Sequence, residues 1–146
     1  MKHLWAGVLL GVVCIPVWAE EDVRCLQSTD GGKPIRMSLT LFGTSDGHLA
    51  SVGEVLYAGQ SVSLPIVFKS SEVVDELDEA EGRPWEFLST WLEVLPDEER
   101  IGGRYSFHHQ GAVLFDFQYH NLRTGKTYHF EENRDVLDQK NSCNWS

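Results

Sequence analysis

Apolar Ile35, Met37, Leu39 and Leu41 alternate with Arg36, Ser38 and Thr40. This period of two sends one set of side chains to a buried face and the other to water, so the segment predicts a strand. Strands are also expected over residues 49–57 and 60–69. In the second, Val62, Leu64, Ile66 and Phe68 share a parity, and Pro65 on the opposite parity predicts an edge or irregular strand. Residues 85–95 predict a further strand with two candidate faces: Leu88, Thr90, Leu92 and Val94 form the better core face, and Phe87, Ser89, Trp91, Glu93 and Leu95 the other. The last third predicts an antiparallel meander of strands over 104–108, 112–120 and 127–131, turned at Gln110-Gly111 and at Thr124-Gly125, with Val113, Phe115, Phe117 and Tyr119 on one face. Residues 70–82 break the pattern. Ser71 as a cap with Val73, Val74 and Leu77 at helical spacing predicts a short helix or an acidic loop. Seven or eight short strands with at most one short helix predict an all-β fold, an antiparallel sandwich or a partly open barrel.

The start of the chain changes the picture. Met1-Lys2-His3 is basic, residues 4–13 are apolar, and Val17-Trp18-Ala19 reads as a cleavage site before Glu20-Glu21-Asp22. The apolar run is too short to span a membrane, which takes about 20 residues. Residues 1–19 are therefore expected to be a signal peptide and residues 20–146 a single β domain in the periplasm. Export into an oxidising compartment leaves Cys25 and Cys143 as an even pair, expected to form a disulfide that clasps the two ends of the fold.

Charge removes some partners. The chain holds 12 Lys+Arg against 22 Asp+Glu, and loss of Lys2 with the leader leaves 11 against 22, a formal charge of −11. Nucleic acid and anionic lipid are poor partners for such a surface. Glu72, Asp75, Glu76, Asp78, Glu79 and Glu81 make the densest acid cluster, and Asp97, Glu98 and Glu99 a second. The first cluster lacks the order of a calcium loop, D-x-[DN]-x-[DN]-G, so no cofactor is expected, with calcium at an interface kept open. With a two-residue turn at Thr124-Gly125, His120 would face His129 and supply half a metal site. There is no G-x-S-x-G elbow, no P-loop and no dinucleotide fingerprint, so an enzyme is not expected. Trp85 and Trp91 share a parity. If that face is exposed, it is an aromatic platform for a protein partner or for a sugar.

The leader, the all-β body, the terminal Cys25 to Cys143 clasp and the acidic surface together resemble the plan of the small exported inhibitor and immunity proteins of Gram-negative bacteria. That resemblance implies a rigid scaffold whose acidic loops plug the groove of a cell-wall-degrading hydrolase with a basic or metal-bearing site, as in immunity to a type VI toxin. The loops it points to are 72–82 and 96–103. The competing expectation is a small-ligand or glycan-binding envelope domain built on Trp85 and Trp91.

Overall fold

A computed structural model of the chain describes residues 21–43, 51–75, 82 and 84–146. The leader and Glu76, Asp78, Glu79 and Glu81 lie outside the described residues. Eight antiparallel strands follow one another in chain order: β1 (Glu21–Ser28), β2 (Arg36–Phe42), β3 (Val52–Tyr57), β4 (Leu64–Asp75), β5 (Glu86–Leu95), β6 (Arg100–Gln110), β7 (Val113–Asn121) and β8 (Thr127–Glu132). Each pairs with its neighbours, and β8 returns to β1 through Leu26↔Glu132 and Ser28↔Phe130, so the sheet is a closed barrel. The all-β expectation holds, and closure decides between its two forms. Eight strands leave an interior just wide enough for side chains or one small ligand.

Inward positions of every strand fill that interior. Leu26, Met37, Leu39, Leu41, Val55, Ile66, Trp91, Tyr105, Phe107, Phe117, Tyr119 and Phe130 form one buried cluster. The β2 alternation turns inward as expected. Three other expectations change for local reasons. The 85–95 strand buries the opposite face from the one favoured, because Ser89, Trp91 and Glu93 are all buried while Leu88, Leu92 and Val94 are half-buried on the outside. The meander loses its simple parity at Asp116, whose φ of 53° makes a bulge: Ser106 pairs with Gln118, but His108 pairs with Phe115. The extra residue sends Val113 and Phe115 outward and turns Leu114 against the core. Finally, residues 70–75 form no helix. They continue β4 alongside β5, from Ser70↔Thr90 to Asp75↔Glu86, after one irregularity between Phe68 and Ser70 and through a second between Val73 and Asp75. The β-branched Val73 and Val74 suit that extended backbone.

Pro65 does not mark an edge strand, since β4 pairs on both sides. It pairs with Glu54 of β3 just before the β5 ladder begins at Ile66↔Glu93, where its missing N–H is tolerated. Val62 is 73% exposed and precedes the strand.

Cys25 and Cys143 are joined, with Cα atoms 5.6 Å apart. Cys25 points outward from β1. The tail reaches it through a 3₁₀ turn at Arg134–Val136 and the Leu137↔Cys143 bridge. Trp145 ends there beneath the Arg36 guanidinium, 5.9 Å from its ring.

Candidate functional site

The two ends of the barrel differ in chemistry. At one end β5 presents, in inward order, Phe87, Ser89 and Trp91. Trp91 is only 1% exposed and sits deep, edge-on to Phe68 at 5.5 Å and stacked on Phe107 at 6.5 Å. Nearer the mouth, Phe87 lies parallel to His109 of β6, with ring centroids 5.1 Å apart at 14°. Trp85 stands at the lip, 44% exposed and 6.4 Å from Phe87. Leu114 of β7, turned inward by the bulge, and Leu41 of β2 complete a largely apolar cavity of about 510 Å³.

Strand lengths explain why this end is open. β8 pairs with β7 only over Phe117 to His120, and with β1 only from Leu26 to Ser28. Hence the mouth-side ends of β1 and β7 face each other without a ladder between them. Inward-facing Asp22 and Arg24 line that gap. The Arg24 guanidinium donates to both carboxylate oxygens of Asp22, at 2.7 and 3.0 Å, and reaches Glu132 at 3.4 Å. Burial works against its charge, but the two carboxylates more than offset this and hold its pKa above the usual value. The cation is thus already compensated. His109 has only burial acting on it, which lowers its pKa and keeps the imidazole neutral at pH 7. Among the described residues, two buried polar side-chain atoms have no protein partner, Trp91 Nε1 and His109 Nε2, and both residues line this cavity.

The opposite end is closed around a carboxylate. Glu93 is 3% exposed and accepts hydrogen bonds from the hydroxyls of Tyr105 (3.1 Å) and Tyr119 (2.7 Å), while Tyr57 and Tyr105 share a further bond of 2.7 Å. Burial, reinforced by Glu93, pushes the Tyr57 hydroxyl up to about 12 and raises Tyr105 and Tyr119 as well. All three therefore stay protonated as donors. Two glycines make the space. A Cβ on Gly102 would meet Glu93 Oε2 at 2.4 Å, and one on Gly103 would meet the Tyr119 ring at 2.3 Å. This fully satisfied network sits inside the wall and reads as a structural cross-brace.

The residues singled out in the sequence separate accordingly. Glu72 and Asp75 are exposed on the mouth-side end of β4, next to Trp85 at the start of β5. Asp97, Glu98 and Glu99 lie in the 3₁₀ turn and its αL cap between β5 and β6, at the far end of the barrel, where Arg100 binds Glu98. A ten-residue strand, about 33 Å at the usual rise, separates the two acid groups, so they cannot enter one groove together. Trp91 shares parity with Trp85 but is core, which removes the flat two-tryptophan platform. His120 does not face His129. The Asn121 side chain accepts from the amides of Arg123 and Thr124 in a five-residue loop, 122–126, so His120 pairs with Thr127 and His129 with Gln118. Among the described residues no three His, Cys, Asp or Glu side chains converge as metal ligands. Phe87, His109 and Leu114 escaped the sequence reading because they meet only through the register of three strands.

In comparison with known proteins, the chain matches no family model, no curated protein and no solved structure.

Proposed function

We propose that this is an exported periplasmic binding protein, not an enzyme, which neutralises a cell-wall-degrading hydrolase in the manner of an immunity protein by engaging it with the mouth-side end of the β4–β5 hairpin. One observation carries the reading. β4 runs on past its last pair with β3, Val52↔Val67, and among the described residues its stretch 69–75 pairs only with β5. This projecting hairpin exposes Val73, Val74 and Trp85 among Glu72 and Asp75. An apolar and aromatic patch rimmed by charge is the usual make-up of a protein-binding hot spot. The sequence between its arms adds Glu76, Asp78, Glu79 and Glu81, so the hairpin suits a groove that is basic or carries a metal. Asp97, Glu98 and Glu99, at the other end, take no part. Neither a cofactor nor a nucleic acid enters the reading.

The test is capture by the immobilised, disulfide-bonded protein from secreted and envelope extracts, with and without calcium, followed by assay of the captured hydrolase. Stoichiometric capture with loss of hydrolase activity is expected. Replacing Asp75, Glu76, Asp78 and Glu79 by their amides should slow association about tenfold at low salt and flatten its salt dependence. Binding that is indifferent to these changes removes the hairpin from the interface.

A further inference from the structure

We infer that the mouth of the barrel is a small-molecule site for an uncharged, planar, apolar compound. This goes beyond the protein-partner reading, which rests on the outward hairpin edge and needs no cavity.

Size comes first. A dry cavity of 150 Å³ accommodates benzene, and small-molecule pockets run from about 300 to 1,000 Å³. The present volume of about 510 Å³ therefore suits two or three fused rings or a compound of similar bulk. Shape follows from the walls. The parallel Phe87 and His109 rings offer a flat face, and Trp91 and Phe107 stack below it. Such faces favour a planar occupant.

Charge narrows the class. Among the described residues, the guanidinium at the gap is neutralised by Asp22 and Glu132, and the imidazole of His109 is held neutral by burial. An anionic ligand would thus find no free cation among the described residues of the lining, and a protein carrying formal charge −10 discourages its approach. A cationic ligand would lose its hydration against an apolar lining. A neutral compound avoids both costs. Trp91, 99% removed from solvent, closes the floor of the cavity, and its Nε1 and the His109 Nε2 are buried out of reach of an occupant.

Two uncharged naphthalene dyes, 6-propionyl-2-dimethylaminonaphthalene and N-phenyl-1-naphthylamine, test this. Both are titrated into the purified, disulfide-bonded protein. Both should bind at micromolar concentration with enhanced fluorescence. Ala112→Trp, at an exposed position of the rim, should abolish binding of both without touching the core. Absence of dye binding, or binding indifferent to Ala112→Trp, overturns the site. In that case a protein partner captured by the hairpin would be the candidate to place a side chain in the mouth.

Discussion

Replacing Glu93 by alanine should unfold the closed end of the barrel from within. The carboxylate accepts from Tyr105 at 3.1 Å and Tyr119 at 2.7 Å, and it is 3% exposed, so no water takes its place. A hydrogen bond to a charged group contributes about 1.5–3 kcal/mol net, and each phenol left without an acceptor adds a desolvation cost of about 1–3 kcal/mol. These overlap, and loss of one member of a buried charged network measures about 3–5 kcal/mol in practice. That range is the expectation for Glu93→Ala, a large part of the stability of a domain of this size. Glu93→Gln should cost less, about 1–2 kcal/mol, since the amide oxygen still accepts from one tyrosine and Asn121 lies within reach of the other. Urea unfolding of the oxidised protein, followed by tryptophan fluorescence, measures both. A double-mutant cycle with Tyr119→Phe should return a coupling of about 1.5–3 kcal/mol. A cost for Glu93→Ala below about 1 kcal/mol, or costs that add within about 0.5 kcal/mol, would refute the cross-brace.

Reduction of Cys25–Cys143 opens a loop of sequence separation 118 and should cost about 5 kcal/mol in the chain-entropy model, read as a lower urea midpoint in the presence of reductant. At alkaline pH the tyrosines act as reporters. Tyr57, Tyr105 and Tyr119 have folded pKa values above the unfolded value near 10, so their stabilisation is complete below pH 10 and lost as pH rises toward about 12 for Tyr57, at about 1.4 kcal/mol per pH unit per tyrosine. Absorbance at 295 nm should show these three ionising only with unfolding; a reversible normal titration of all four tyrosines would contradict the network. Asp116→Val places a β-branched residue at φ 53° and should cost about 1–2 kcal/mol by urea titration, whereas Asp116→Gly should cost less; equal costs would mean that the bulge imposes no strain.

How far the sequence spoke depended on where the information sat. Strand identity is local, and the alternation in β2 or in the β6–β7 hairpin at Gln110-Gly111 announces it. Which face turns inward is not local once a bulge intervenes. Asp116 inserts one residue, and every side chain before it changes sides, so Val113 and Phe115 read as core yet stand outside. On β5 the ordinary rule fails for another reason. Its inner face holds Ser89 and Glu93, which look solvent-exposed, and only Tyr105 and Tyr119, from strands 12 and 26 residues away, make a buried carboxylate affordable. The clue was present at one remove: adjacent Gly102 and Gly103 in a strand imply that something bulky approaches the backbone. The acids at 72–75 were legible as charge but not as strand, because Val73 and Val74 fit a helical spacing as well as an extended one. The cavity was least legible of all, since Phe87, His109 and Leu114 become neighbours only through register. The same register that hides the site also constrains it. Deleting the bulge residue Asp116 leaves Phe117 inward, Phe115 outward and Leu114 inward in simple alternation, with the His109↔Leu114 pair kept, so the deletion should spare dye binding, and its loss would mean that the bulge itself shapes the mouth.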